Sequence, residues 1–73
     1  MKVIRYIIPL TLMRNVQQIG HVVRYVQSLP NTWAQVEACQ STAILTLCET
    51  NEDIYSEAYI ERKLLCDSKE VLK

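Results

Sequence analysis

The residue types most able to do chemistry in this 73-residue chain are three cysteines and a single histidine. Cys39, Cys48 and Cys66 with His21 have the ligand types of a Cys3His zinc site. Eight and seventeen residues separate the successive cysteines, so the paired-cysteine spacing of such sites is missing. We therefore expect no metal site and no other cofactor, with the thiols acting as small, half-buried hydrophobes.

A Cys–His or Ser–His nucleophilic pair would also require His21. This residue falls on the polar side of a predicted helix, close to Arg14, Gln17 and Arg24. We therefore predict no catalytic residue and expect that the protein is not an enzyme.

Charged side chains offer two further kinds of site. Asp53, Glu57 and Glu61 are spaced by four residues and predict an acidic ridge on a helix, which we interpret as a solvated face. Arg14 and Arg24, with the histidine, could contact phosphates, but interleaved aromatic residues and a glycine-rich loop are missing. Nucleic acid is therefore not the expected partner.

Composition narrows the possibilities further. Apolar residues make up 49% and charged residues 22% of the chain, as in ordinary folded domains, and the formal net charge is zero. The charge is +4 up to residue 36 and −4 beyond it. No apolar run reaches the length of a membrane helix, and an odd number of unpaired cysteines indicates a reducing cytoplasm. We expect one domain over residues 1–73, with no membrane partner.

The elements that position these residues begin with a β-branched and aromatic strand from Val3 to Ile8. Alternation predicts Ile4, Tyr6 and Ile8 on the core side, and Val3, Arg5 and Ile7 on the other side. A helix follows, with Thr11 as its predicted cap and Leu29 before Pro30 as its end. Its predicted apolar stripe is Leu12, Val16, Ile19, Val23 and Val26.

Two further strands, Trp33 to Cys39 and Ala43 to Glu49, predict a hairpin. A register with Ala38 opposite Leu45 keeps polar and apolar positions on separate faces. The core side then carries Ala34, Val36, Ala38, Leu45 and Leu47, and the other side Gln35, Glu37, Cys39, Thr46 and Cys48.

A last helix is predicted from Thr50 or Asn51, with Thr50 and Asp53 forming a capping box. Its predicted apolar stripe is Ile54, Ala58, Leu65 and Leu72. Residues 67–73 could extend this helix, fray or form a fourth strand. Without a fourth strand the first strand would be an open edge, so we expect pairing there with another chain.

The predicted order is β-α-β-β-α, an α+β fold. A right-handed crossover places the third strand between the first and second, giving a three-stranded antiparallel or mixed sheet in the order 1-3-2 with both helices on one face. The arrangement resembles a ferredoxin-like sandwich whose fourth strand is short or absent. Such a fold is shared by many unrelated functions.

The side of the sheet that two helices cannot cover is unusually apolar, with Val3, Ile7, Trp33, Ile44 and Cys48 around Arg5. Tyr55, Tyr59 and Arg62 predict a second, exposed strip on the last helix. We therefore expect a small protein–protein interaction module, acting as a homodimer or as an adaptor or inhibitor on a larger protein.

Two alternatives remain open. One is a small-ligand binder or an enzyme subunit with a cavity between two stacked sheets, lined by Tyr6, Trp33 and Cys48. The other is a nucleic-acid binder that uses the basic first helix.

Overall fold

The computed structural model describes residues 2–49 and 55–72. The strands and helices within these ranges follow in the order β-α-β-β-α-β. Their bounds are β1 (Lys2–Pro9), α1 (Met13–Ser28), β2 (Thr32–Cys39), β3 (Thr42–Glu49), α2 (Tyr55–Lys63) and β4 (Ser68–Leu72).

The four strands form an antiparallel sheet in the order β2-β3-β1-β4. β3 lies between β1 and β2, in the position predicted from its apolar sequence. The three-stranded sheet is not confirmed, because β4 pairs with β1 from Val3↔Leu72 to Ile7↔Ser68. β1 is therefore an inner strand, and the prediction that it forms an open edge is wrong.

The β2–β3 hairpin has a different register from the predicted one. Ala38 lies opposite Ala43 and Cys39 opposite Thr42, so only Gln40 and Ser41 form the turn. The observed register is displaced by two residues from the expected pairing of Ala38 with Leu45. Because side chains alternate with a period of two, this displacement leaves every residue on its predicted face.

The covered face of the sheet packs against both helices. On β1, Ile4, Tyr6 and Ile8 are each no more than 1% exposed, as alternation predicts. Leu45 and Leu47 on β3 are equally buried. The helices complete this core with Val22, Val26, Ile60 and Leu64.

α1 docks on the sheet with a face that only partly matches the predicted stripe, since Val26 is buried as predicted. Leu12 and Val16 were expected inside but are exposed, Val16 by 50%, and Ile19 and Val23 are only half-buried. Its fully buried side chains are Asn15, Val22 and Val26. Compared with the predicted orientation, the helix is turned about its axis so that Asn15 and not Val16 lies in the core.

The ends of α1 are also partly as predicted. Leu12 rather than Thr11 holds the N-cap position, and it makes no side-chain cap hydrogen bond. The C-terminal end agrees with the prediction, since Leu29 is extended immediately before Pro30.

α2 is shorter than the predicted last helix. It ends at Lys63, so Leu65 and Leu72 do not belong to a helical stripe, and Ala58 is exposed. Ile60 and Leu64 are the residues that reach the core from this segment. The predicted caps Thr50 and Asn51, together with Asp53 and Ile54, lie outside the described residues. Neither α1 nor α2 has the length and apolar character needed to cross a membrane.

Candidate functional site

The open face is the sheet surface opposite the helices, and its side chains lie in rows across the strands. The first row crosses all four strands through Leu72, Val3, Cys48 and Trp33, which are successive cross-strand neighbours. Trp33 is 58% exposed, and the other three are half-buried. This apolar row is a continuous strip along one end of the open face.

The second row is polar. Arg5 lies between Glu70 on β4 and Thr46 on β3, with Gln35 beyond Thr46 on β2. An Arg5 Nη1 to Glu70 Oε1 distance of 4.0 Å joins two exposed side chains. Such an exposed ion pair contributes little to stability, but it orients the guanidinium beside the apolar row.

The third row returns to apolar character at its centre. Ile7 and Ile44 are neighbours on β1 and β3, flanked by Ser68 and Glu37. Both isoleucines are half-buried. The open face therefore alternates an apolar strip, a charged strip and an isoleucine pair.

The six residues predicted as interface residues on this side of the sheet share it. They are Val3, Arg5, Ile7, Trp33, Ile44 and Cys48. The sequence analysis missed Leu72, which was assigned to a helix, although β4 places it beside Val3. The signal available for it was weak, because only two apolar residues end the chain before Lys73.

Of the strip expected on the last helix, Arg62 is exposed, whereas Tyr59 packs against the other helix. Tyr59 is half-buried and stacks on Tyr25 of α1, with ring centroids 4.0 Å apart and planes inclined by 23°. Lys63 Nζ lies 5.7 Å from the centroid of the Tyr59 ring. The side chain of Tyr55 lies outside what the structure describes. Tyr59 therefore joins the two helices, and its predicted interface role is untested.

A basic groove of about 430 Å³ lies between the helices. Tyr59 and Arg62 line it together with Arg14, Gln18 and Lys63. Arg14 is engaged there, because its guanidinium donates hydrogen bonds from Nε to the carbonyl oxygen of Lys63 (3.2 Å) and from Nη2 to that of Arg62. It satisfies the last carbonyl groups of α2, and so is occupied in a structural contact.

The three cysteines considered as zinc ligands lie in different parts of the fold. Cys39 is exposed beside the hairpin turn, Cys48 lies on the open face, and Cys66 follows α2. Burial raises the pKa of the Cys66 thiol, and the nearby carboxylates of Glu61 and Asp67 add to the shift. In residues 2–49 and 55–72, no three His, Cys, Asp or Glu side chains are grouped as a metal site requires.

The acidic ridge is neutralised where the structure describes it. Glu57 Oε1 is 2.9 Å from Lys2 Nζ, and Glu61 Oε1 is 3.0 Å from Lys69 Nζ. These pairs connect α2 to β1 and β4, so the two carboxylates attach the helix to the sheet.

Asn15 is the buried polar residue that sequence analysis overlooked. Its Nδ2 donates to the carbonyl oxygens of Pro9 (2.7 Å) and Leu65 (2.9 Å), and its Oδ1 accepts from the Leu65 amide at 2.9 Å. One side chain thus connects the end of β1, the start of α1 and the segment after α2. Its spacing of four and seven from Ile19 and Val22 was the available signal.

Comparison of the chain with family models, with curated proteins and with solved structures finds no match in any of the three. Functional inference therefore depends on the geometry of the open face.

Proposed function

We propose that the protein is a small protein–protein interaction module that docks through the open face of its sheet. The supporting observation is the row Leu72, Val3, Cys48 and Trp33, which extends across every strand of the sheet. An apolar strip of this extent, with an exposed tryptophan at one end, exceeds the scattered apolar residues of ordinary protein surfaces.

Trp33 is the proposed anchor of this face. Tryptophan is enriched among residues that dominate binding energy, and this one stands at the end of the apolar row with 58% of its surface exposed. Arg5, in the adjacent polar row, adds a charge that can select the partner. We propose a second copy of this chain as the partner, with a larger protein as the other candidate of the same kind.

The element order β-α-β-β-α-β and the strand order β2-β3-β1-β4 support a ferredoxin-like sandwich as the fold of this module. In that arrangement both helices occupy one face, and the other is free for assembly. The alternative of a ligand cavity between two stacked sheets is weakened, because Tyr6 points into the core, away from Trp33 and Cys48.

Sedimentation equilibrium of the wild-type chain and Trp33→Ala tests the proposal. We expect the wild-type chain to associate beyond 8.5 kDa at micromolar concentration. Loss of a hot-spot tryptophan weakens association by about 2 kcal/mol, or roughly 30-fold in Kd.

Leu65→Ala is the matched control, because Leu65 is also an exposed apolar residue, at 49%, but lies outside the sheet. Equal effects of the two substitutions would contradict the proposal. If the wild-type chain is a monomer, retention of a larger native protein by the wild-type chain but not by Trp33→Ala identifies the other partner.

A further inference from the structure

The two edges of the sheet differ in their protection against pairing. β4 is five residues long and carries Lys69 and Glu70, which are typical guards of an edge strand. β2 is eight residues long, contains no proline or lysine, and has Glu37 as its single charged residue. Among the described strands, none pairs with its outer edge.

The hairpin turn determines which backbone groups of β2 point to this outer edge. Cys39 and Thr42 flank a two-residue turn, so they form the hydrogen-bonded closing pair and the groups of Cys39 point to β3. Alternation then directs the N–H and C=O groups of Ala34, Val36 and Ala38 outward. The Gln27 side chain agrees with this, since its Nε2 donates to the Ala34 carbonyl oxygen at 3.4 Å.

The helix side of this edge is also incompletely covered. Val36 faces the helices but is 39% exposed, and Ala38 is exposed. A groove of about 430 Å³ lies beside Val36, lined by Ile19, Gly20 and Val23 of α1. An added strand would place every second side chain over this groove, where its apolar surface would be removed from water.

The sequence of β2 is compatible with antiparallel pairing to itself in one register. An axis at Val36 places Val36 opposite Val36 of a second copy and Ala34 opposite Ala38. On the open face, the same axis places Gln35 opposite Glu37, a hydrogen-bonding pair. An axis at Glu37 would place two like charges opposite each other, and an axis at Gln35 would place Glu37 opposite Trp33.

We propose that two copies of the chain pair along the outer edges of β2, antiparallel and with the two-fold axis at Val36. The result is a continuous eight-stranded sheet in which the open faces of the two copies adjoin. This inference does not depend on the proposed function, because it is argued from the backbone groups and the register of β2 and not from what covers the open face.

The first test is Val36→Pro, compared with Val36→Thr, by sedimentation equilibrium. The Val36 N–H is outside the β2–β3 ladder, so proline removes no internal hydrogen bond while it blocks pairing at the axis. We expect association at the edge to weaken at least about tenfold with proline, whereas threonine keeps the N–H and the dimer. Circular dichroism establishes that both variants fold. An unchanged assembly in folded Val36→Pro would overturn the proposal.

The second test does not depend on the proline variant and uses mild oxidation by diamide in a Cys39→Ser background. Val36→Cys places two thiols at the axis, with Cα atoms about 5.5 Å apart, within the range of a disulfide. In Ala38→Cys the equivalent atoms are about 14 Å apart, beyond that range. We expect dimer cross-linking at least about tenfold faster for Val36→Cys, and equal rates would refute the register.

The same experiment separates this inference from the proposed function. Ile44→Ser alters the open face on β3 and leaves the β2 edge intact. If Val36→Cys cross-links equally well with and without Ile44→Ser, the edge pairing holds whatever the open face binds. If neither Val36→Pro nor the cross-linking pair behaves as expected while Trp33→Ala still weakens association, only the edge pairing fails.

Discussion

On the covered face of the sheet, Ile4, Leu45 and Leu47 are no more than 1% exposed, whereas on the open face Ile7 and Ile44 remain half-buried and Trp33 is 58% exposed. Both faces are built by the same strands, and both carry apolar side chains on β1 and β3. The difference comes from the helices, which pack against one face and leave the other uncovered. Apolar side chains therefore stabilise the fold on the covered face, whereas on the open face they remain accessible for contact.

The largest expected effect compares adjacent residues on β3. Leu45→Ala removes a fully buried side chain from the core, so we expect the free energy of unfolding to fall by about 2–5 kcal/mol. Ile44→Ala, on the open face, should cost less than about 1 kcal/mol in dilute protein. Urea denaturation measures both, and similar losses would show that the two faces do not differ as described.

Asn15 tests how the helix layer is held over the covered face. Asn15→Leu removes three hydrogen bonds and leaves part-buried backbone groups of Pro9 and Leu65 without this partner, so we expect a loss of about 1–3 kcal/mol. Gln17→Leu makes a similar change at an exposed position of α1 and should stay within about 0.5 kcal/mol. Thermal unfolding of the two variants shows whether the change in stability comes from the lost contacts of Asn15 or from the helix propensity of leucine.

The hairpin turn affects both faces of the sheet, because it sets which residues of β2 face each side. Gln40 has a φ of 55°, in the left-handed region where a side chain costs about 1 kcal/mol. Gln40→Gly should therefore raise the free energy of unfolding by up to about that amount. Ser41→Gly, at a position without positive φ, should give no gain; a stabilisation equal to that of Gln40→Gly would contradict this reading.

The cysteines give the smallest effect. Cys39, exposed on the open-face side, should react with iodoacetamide before Cys66, which packs against the core and whose pKa is raised by burial. Because the folded pKa exceeds the unfolded one, this thiol favours the folded state below its ordinary pKa, and that contribution is lost as pH rises through the raised value.

Mass spectrometry of alkylated peptides between pH 7 and about 10 measures both rates across the ordinary range of a thiol. The chain unfolded in urea is the control, and Cys66 should react there at lower pH than in the folded protein. A Cys66 that reacts as fast as Cys39 in the folded protein would show that its thiol is not protected by packing against the core.

The alternation of β1 made its two faces predictable, since Arg5 between Ile4 and Tyr6 identifies the side away from the core. The predicted faces of the hairpin were also correct, because a register error of two residues leaves each side chain on the same face. None of these inferences requires knowledge of what packs against the strands.

The orientation of α1 could not be obtained in this way. Val16 and Asn15 each begin a series with helical spacing, one continuing to Ile19 and Val23, the other to Ile19 and Val22. Hydrophobicity favours the series with Val16. The buried amide of Asn15 prevails because Pro9 and Leu65 supply its partners, and these come together only when the chain is folded.

Local periodicity is enough to predict the alternating strands and the apolar side chains of the open face, and the handedness of the crossover adds the position of β3. The fourth strand depends on tertiary contacts. Lys69, Glu70, Val71 and Leu72 have no strong strand signal of their own, yet they pair with β1. Pairing satisfies backbone groups that β1 would otherwise leave open, and this non-local contact is the physical reason that a charged segment becomes a strand.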